Sequence, residues 1–362
     1  MRSTNVGYMP RLDHLRLLAA LLVFAFHFYH HVAGGFQAHP KASWLAPVVE
    51  GHTGVTLFFV LSGFLFMTIA LRGGDIAYGS FMRNRFLRIF PLYLVVFFVA
   101  ISIGRDRFQG TDVIYLMFSN LSLPPMSWHF VTGAAWSISL EFTFYLVFPF
   151  LAASVREQGG GYLWRVLLIL LVVKLAAYDI SEKSTRMFYS TLIGRFDQFL
   201  VGMLAALAFD RWQGGLRRAG AWLLPLSIAV VWGALVWQAR HASFFGPALK
   251  DPNWIWWPTA EAACWALVVV AYLSAGLRLP KRIDDGLAAG GEWSYSFYMW
   301  HALVIYTVHA WIGPFPFTGR PRLDLLLYGL LVLAACLAFA RLSYMTIERP
   351  FLRMRGSYLR AH

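Results

Sequence analysis

Runs of about 20 apolar residues recur along nearly the whole chain, and they constrain its fold more than any other feature. A helix of about 20 apolar residues crosses the hydrocarbon core of a bilayer. The runs lie near residues 15–33, 54–71, 88–104, 136–154, 162–178, 195–209, 221–239, 258–277, 295–313 and 323–345. We therefore predict an all-α polytopic membrane protein with about ten transmembrane helices. A weaker stretch at 111–121 is interpreted as a surface or re-entrant helix because it is short and runs into Leu123-Pro124-Pro125.

The composition supports a membrane protein. Hydrophobic residues make up 59% of the chain and charged residues only 14%, whereas soluble domains carry about a quarter charged residues. Disordered chains, nucleic-acid-binding tails and ordinary cytosolic enzymes are therefore excluded, and no nucleic-acid partner is expected. With two cysteines, the chain lacks the residues for a disulfide framework or a cysteine-based zinc site, so no metal is expected. We predict a single membrane-embedded domain over 1–362 with no appended soluble domain.

The positive net charge of +13 is explained mainly by orientation. Ten crossings would leave both termini on one side of the membrane. Most lysines and arginines then fall on that same side, in the segments 2–16, 72–88, 156–165, 211–218, 278–282 and 349–360. Because Lys and Arg accumulate in cytoplasmic loops, both termini are predicted to be cytoplasmic.

Ionisable residues within the spans are costly, and each is a candidate for function. Arg16 and His27 lie eleven residues apart in the first span. This spacing is close to three helical turns, so the two side chains share a face about 16 Å apart along the axis. A histidine at that depth can take a proton from a hydroxyl near neutral pH. The alternative is a core histidine that is hydrogen-bonded to a neighbouring helix.

Two further groups carry charge into the spans. Arg85 and Arg88 stand three residues apart and are predicted to project from one face at the start of the third helix. Paired guanidinium groups can bind a diphosphate, although the positive-inside rule also explains basic residues there. Glu141 follows Trp136 into another span and needs a partner from a different helix. Arg195 and His27 are the candidate partners, and a structural ion pair is the alternative role.

The remaining polar residues are open to several interpretations. Ser62 lies in a segment of small residues, which favours either a close helix crossing or a narrow ligand passage. The pair Arg195 and Asp197 is interpreted as mainly structural, with Gly202 beyond it allowing close packing. His301 stands two turns into its span, where catalysis, ligand binding and packing are equally compatible with the sequence. Glu348 is interpreted as a capping or ion-pairing group.

Seven short motifs occur in order along the chain and together resemble those of acyltransferase family 3. This group of integral membrane acyltransferases includes O-antigen and peptidoglycan O-acetylases. The motifs are Arg16 with His27; Gly54 to Phe64; Arg85-x-x-Arg88 with Pro91; Trp136-Ser137-x-x-x-Glu141; Arg195-x-Asp197; Ser294-Tyr295-x-x-Tyr298-x-x-His301; and Glu348-Arg349-Pro350.

The resemblance implies a membrane O-acyltransferase of the bacterial inner membrane. Its donor is expected to be acetyl-CoA or another acyl-CoA from the cytoplasm, used as a co-substrate. Its acceptor is expected to be a hydroxyl of a glycan, such as O-antigen or exopolysaccharide, or of a lipid-linked sugar. By the same resemblance, Arg85, Arg88 and Arg16 bind the phosphates of coenzyme A, His27 is the general base, and Glu141 orients His27. Candidates for substrate-binding or structural roles are Asp13, Ser62, Trp136, Arg195, Asp197, His301 and Glu348.

Several alternatives stay open at this point. Some family members carry an extracytoplasmic domain that this chain is expected to lack, so it would act alone or use a separate extracytoplasmic partner protein. The acceptor could also be a small molecule such as a macrolide. A proton-coupled transporter would use Arg16, His27 and Glu141 as a relay. A non-catalytic glycan or lipid receptor would not need the deep histidine.

Overall fold

The computed structural model describes residues 7–32, 43–107, 136–244, 249–313 and 316–359. In these ranges the regular structure is helical, apart from one β-bridge between Ile76 and Leu359. The helices are α1 Pro10–Val32, α2 Ala46–Val49, α3 Thr53–Arg72, α4 Tyr78–Ile103, α5 Trp136–Gln158, α6 Gly161–Ile180, α7 Ser184–Ser190, α8 Leu192–His241, α9 Asn253–Ser274, α10 Lys281–Glu292, α11 Ser294–Ile312, α12 Pro321–Ser343 and α13 Arg349–Leu352. A π-helical turn, Tyr344–Glu348, joins the last two.

Seven of the helical segments are long and apolar enough to cross a membrane, which confirms the predicted polytopic helical fold. They are α1, α3, α4, α5, α8, α9 and the continuous segment Pro321–Leu352. The predicted spans 162–178 and 295–313 coincide with α6 and α11, which are not among the seven. The number of ten crossings and the cytoplasmic side of the termini stay predictions. The stretch 111–121 lies outside the described residues.

The 50-residue helix α8 contains two of the predicted spans and turns back on itself. Its backbone leaves helical geometry at Trp212 (φ −114°, ψ 21°). Near its start, Arg195 faces Glu261 of α9, and at its end the carbonyl of His241 accepts a hydrogen bond from the Asn253 side chain. Both ends of α8 therefore lie against the first half of α9. The segments 195–209 and 221–239 are thus two antiparallel arms.

The third span begins earlier than the sequence predicted. Helix α4 starts at Tyr78 rather than near residue 88, so Arg85 and Arg88 lie inside the helix and not at its start. Hydropathy ends the span at these charged residues, but arginine is a good helix former. Their neighbour Asn84 is buried and hydrogen-bonds the Gly356 carbonyl at 2.6 Å, so this polar stretch of α4 is held by partners from the C-terminal segment.

The C-terminal segment 353–359 is fastened to the beginning of α4. The backbone N–H of Ala77 donates to the Tyr358 carbonyl at 2.8 Å, next to the β-bridge of Ile76 and Leu359. Asn84 hydrogen-bonds both the carbonyl and the N–H of Gly356. These contacts hold the segment against the helix that carries Arg85 and Arg88.

Glycines allow the central helices to pack backbone against backbone. A Cβ atom placed on Gly63 of α3 would lie 2.1 Å from the Phe199 carbonyl oxygen of α8. One placed on Gly202 of α8 would lie 2.2 Å from the Val60 carbonyl oxygen. Both distances are far inside van der Waals contact, so only glycine fits at these crossings. The close helix crossing expected from the sequence around Ser62 and Gly202 is therefore confirmed.

We expect Gly202→Ala to lower the free energy of unfolding by about 1–3 kcal/mol, because α3 and α8 must separate to admit the methyl group. Gly233→Ala in the same helix is the matched control. A Cβ there meets nothing within 4 Å, so alanine should be neutral or stabilising by about 1 kcal/mol. Unfolding of the two variants by denaturant in detergent micelles measures the difference. Equal stabilities would contradict the close packing.

Candidate active site

A cavity of about 320 Å³ lies between α1, α3, α4, α5, α11 and the C-terminal segment. It brings together six of the residues predicted from the sequence, namely Asp13, Arg16, Ser62, Arg85, Arg88 and Glu141. Its other polar residues are Tyr8, Asn84, Ser137, Tyr145, Glu292, Ser294, Tyr295, Tyr298, Arg353, Arg355 and Tyr358. Charged side chains from distant parts of the chain thus face one enclosed space within the helical bundle.

Two of the predicted arginines are already neutralised by carboxylates. Arg16 pairs with Asp13 at 2.8 Å, one turn earlier on α1. Arg88 pairs with Glu348 of the π-helical turn at 3.0 Å. Glu348 is 1% exposed and also accepts a hydrogen bond from Ser296, so the ion-pairing role predicted for it is confirmed.

Arg85 differs because it makes no ion pair with any residue that the structure describes. Its guanidinium carbon lies 5.0 Å from the ring centre of Phe66, 5.6 Å from that of Phe81 and 5.7 Å from that of Tyr145. Its buried Nε atom has no hydrogen-bond partner. Aromatic faces hold a cation in place without neutralising it. The positive charge of Arg85 is therefore available to an anion entering the cavity.

Arg355 adds a second positive charge to the same end of the cavity. Burial and the like charges of Arg88 and Arg85 lower the pKa of its guanidinium below the ordinary value. Such a shift marks an excess of positive charge that a bound anion would relieve. In the sequence analysis, Arg355 entered only as one of the basic residues in segment 349–360 that indicate how the chain is oriented in the membrane. Nothing local in the sequence reveals that the C-terminal segment folds back onto α4.

Glu141 is held by residues other than those predicted. The hydroxyl of Ser62 donates to its Oε1 atom at 2.7 Å, and the Tyr145 side chain also hydrogen-bonds it. The candidate partners Arg195 and His27 were wrong, because Arg195 faces Glu261 and His27 hydrogen-bonds other groups. Tyr145 follows Glu141 by four residues, so their shared helix face was a signal that the sequence contained.

One wall of the cavity has a clear order along α5. Ser137, Glu141 and Tyr145 recur every four residues and so lie on one face over about 12 Å. At the Tyr145 end, the ring contacts Arg85. At the other end, the Ser137 hydroxyl lies 2.6 Å from the hydroxyl of Tyr298. The cavity therefore runs from an arginine-rich end to an end closed by hydroxyl groups.

His27 and His301 are not among the residues that line the cavity, but they are connected to its hydroxyl end through Tyr298. The Tyr298 ring is 5.8 Å from the ring of His301, and the Nε2 atom of His301 is 3.2 Å from the Nδ1 atom of His27. The same Nδ1 atom is 2.9 Å from the Val23 carbonyl oxygen. Arg16 lines the cavity, and the α1 helix carries His27 about 16 Å farther along its axis. Of the two residues predicted on the first span, Arg16 therefore lines the cavity and His27 does not.

The other sequence candidates form a separate buried network outside the cavity lining. The guanidinium of Arg195 lies over the rings of Tyr189 and Trp136 and 3.7 Å from Glu261. Asp197 accepts hydrogen bonds from Lys174, at 2.6 Å, and from Thr259. Lys174 lies within the predicted span 162–178, and the sequence by itself indicates no partner for it. These contacts support the mainly structural role expected for Arg195 and Asp197.

Comparison with known proteins finds one family model and several relatives that cover most of the chain. A family model described as an acyltransferase domain matches residues 9–341. Acyltransferase MdmB of Streptomyces mycarofaciens is 28% identical over 97% of this chain and 94% of its own length. Nodulation protein 10 of Rhizobium leguminosarum bv. viciae is 25% identical over 97% of this chain and 95% of its own. A candidate O-acetyltransferase of Staphylococcus aureus strain MRSA252 is 25% identical over 98% of this chain, which spans 60% of that protein. No solved structure matches the chain significantly.

Proposed function

The chain belongs to the acyltransferase 3 family, and we propose that this membrane acyltransferase moves an acetyl group from acetyl-CoA to a hydroxyl of a glycan or lipid-linked sugar. One observation carries the proposal. One cavity extends from an arginine-rich end, where Arg85 and Arg355 have no carboxylate partner among the described residues, to an end lined by the hydroxyls of Ser137 and Tyr298. Tyr298 contacts His301, which is the partner of His27. That arrangement suits a donor with phosphates at one end and a reactive acyl group at the other.

The arginine end fits the phosphates of coenzyme A. Arg85 and Arg355 provide charge and N–H donors, and phosphate oxygens accept paired hydrogen bonds from guanidinium groups. Arg16 and Arg88 were also expected to bind phosphate, but each already has a carboxylate within 3.0 Å. We assign Arg85 and Arg355 as the principal phosphate ligands. Arg16 and Arg88 then shape the walls and strengthen the local positive field.

The wall formed by Ser137, Glu141 and Tyr145 would guide the pantetheine arm of the donor towards His27. Glu141 keeps lone pairs beyond those that accept hydrogen bonds from Ser62 and Tyr145. These lone pairs can accept hydrogen bonds from the amide N–H groups of the pantetheine arm. We therefore assign Glu141 to positioning the donor rather than to orienting His27.

At the far end, His27 would act as the general base. Its imidazole takes the proton of the acceptor hydroxyl as that oxygen bonds to the acyl carbon. The carbon–sulfur bond of the thioester breaks, and His27 returns the proton to the departing thiolate. Atoms and charge balance with no other reactant, and the products are an ester and free coenzyme A.

The predicted orientation supports a cytoplasmic donor. With both termini inside, the basic segment 349–360 and the arginine end of the cavity face the cytoplasm, where acyl-CoA is made. His27 then lies past the middle of the membrane, nearer an acceptor at the outer face. We propose on this basis a multi-pass protein of the bacterial inner membrane that acylates a glycan there, alone or with an extracytoplasmic partner.

Purified protein incubated with acetyl-CoA labelled in the acetyl group tests the proposal. We expect slow thioester hydrolysis without acceptor and transfer of label when host glycan is added. Mass spectrometry of surface glycans from cells with and without the gene identifies the acceptor. A protein that neither binds coenzyme A nor turns over its thioester would exclude the proposed activity and leave a transporter as the better interpretation.

We expect Arg85→Ala to raise the KM for acetyl-CoA roughly 10- to 100-fold. A hydrogen bond to a charged group is worth about 1.5–3 kcal/mol, which corresponds to that range of affinity. Arg165→Ala is the matched control because Arg165 is an exposed arginine that hydrogen-bonds Gln158 away from the cavity. Coenzyme A affinity can be measured by calorimetry in detergent. If both variants bind coenzyme A as tightly as the unaltered protein, Arg85 does not bind the donor and serves only to set the orientation of the helix in the membrane.

A further inference from the structure

We propose that His301 is a positioning residue that fixes the tautomer of His27 and so leaves the correct ring nitrogen free to act as the base. The inference rests on the proposed function of His27. It adds a residue that lies one turn beyond Tyr298 on α11 and is not part of the cavity lining. The geometry that supports it is the set of hydrogen bonds at the two facing imidazole rings.

The tautomer of His301 follows from its contact with the backbone. Its Nδ1 atom lies 2.6 Å from the Tyr298 carbonyl oxygen. A carbonyl oxygen has no hydrogen to donate, so Nδ1 of His301 must carry the proton. In a neutral ring the other nitrogen, Nε2, then presents a lone pair. That lone pair faces the Nδ1 atom of His27 at 3.2 Å.

The tautomer of His27 follows in the same way. Its Nδ1 atom lies 2.9 Å from the Val23 carbonyl oxygen, so this nitrogen also carries a hydrogen. That hydrogen is directed to two acceptors, the Val23 carbonyl and the Nε2 atom of His301. The opposite tautomer would place a lone pair against both acceptors. Neutral His27 therefore keeps its basic lone pair on Nε2.

The pairing also stabilises the charged form of His27 during transfer. Once Nε2 takes a proton, the N–H on Nδ1 belongs to an imidazolium and becomes a stronger donor. His301 and Val23 are already placed to accept it. A carboxylate does this in Ser-His-Asp triads, whereas here the partner is a neutral histidine. No net charge has to remain buried between turnovers, which suits an apolar site.

The surroundings hold His301 in this orientation. Its side chain is 1% exposed. Its ring is nearly parallel to that of Phe297, at 10° and 6.4 Å between centres, and Phe297 in turn packs against Phe24 of α1. The carbonyl of Tyr298 fixes one edge of the ring. A residue locked by packing and by the backbone can orient a neighbour precisely enough for catalysis.

Two substitutions separate positioning from packing. His301→Gln can place a side-chain oxygen near the present Nε2 atom and keep an acceptor for His27. His301→Phe fills the space but removes the acceptor. With acetyl-CoA as the probe, we expect His301→Phe to lower the rate of thioester turnover roughly 10- to 100-fold with little change in KM. We expect His301→Gln to restore most of that loss.

Nitrogen NMR of protein with ¹⁵N-labelled histidine tests the inference independently of turnover. We expect the Nδ1–H tautomer for His27 in the unaltered protein and in His301→Gln. In His301→Phe, where Val23 is the one acceptor that the described structure leaves to Nδ1, we expect a larger share of the Nε2–H tautomer. His27→Ala assigns the His27 signals and reports on the proposed function. If His27→Ala is inactive while His301→Phe keeps full activity and a single tautomer, the role of His301 is overturned and that of His27 stands. Full activity of His27→Ala would instead overturn the general base.

Discussion

Replacing His27 with alanine is expected to lower acetyl transfer roughly 100- to 10,000-fold, the usual contribution of a general base. The acceptor hydroxyl would lose the group that removes its proton, and the departing thiolate would lose its proton donor. The KM for acetyl-CoA should change little, because the proposed phosphate ligands Arg85 and Arg355 line the cavity, whereas His27 does not. Rates of label transfer from acetyl-CoA, measured at saturating donor, report the effect.

A second histidine provides the control for this result. His241 ends α8, is exposed, and hydrogen-bonds the Trp237 carbonyl at 3.0 Å. His241→Ala should transfer acetyl groups at the unaltered rate. A His27→Ala variant that binds coenzyme A and still acylates the host glycan normally would show that another group removes the proton.

The largest expected loss of stability follows from Asp197→Ala. Asp197 is 1% exposed, and its carboxylate holds the equally buried Lys174 at 2.6 Å. Without it, the ammonium group of Lys174 keeps only the Gly194 carbonyl at 3.3 Å. Breaking a buried ion pair by removing one partner costs about 3–5 kcal/mol because it leaves an uncompensated charge. We expect the free energy of unfolding in detergent to fall by that amount.

Removing both charges should recover much of the loss. Lys174→Met combined with Asp197→Asn leaves an amide that can still accept the hydrogen bond from Thr259. Replacing a buried pair by uncharged residues of similar volume is often nearly neutral. The double variant should therefore be clearly more stable than Asp197→Ala. If the two are equally unstable, packing at this helix contact matters more than charge.

Features set by local spacing were predictable from the sequence. The eleven-residue separation of Arg16 and His27 predicted their distance of about 16 Å along α1. The predicted spans 195–209 and 221–239 both lie within α8, on either side of its kink at Trp212. Gly202 indicated a close crossing because an apolar helix gains contact area when a small residue admits its neighbour.

Partners that depend on tertiary structure were not predictable. Arg88 meets Glu348 across 260 residues, and His27 meets His301 across 274 residues. Periodicity says which face a residue occupies but not which helix lies opposite. For this reason the partner of Glu141 was wrongly chosen. The start of α4 was misplaced because hydropathy counts each charged residue as unfavourable in a membrane. It contains no information on the partners, such as Glu348 for Arg88, that make the charge tolerable.

The hydrogen bonds between segment 353–359 and the beginning of α4 have a consequence for biosynthesis. Arg355 and the Gly356 backbone come later in the chain than the seven described helical segments of membrane-spanning length, yet these residues complete the arginine-rich end of the cavity. Glu348, which neutralises Arg88, is also made late. A partly translated chain thus holds Arg85 and Arg88 without their final surroundings. If Arg85 and Arg355 bind the donor phosphates as proposed, the phosphate site is complete only once translation has passed this segment.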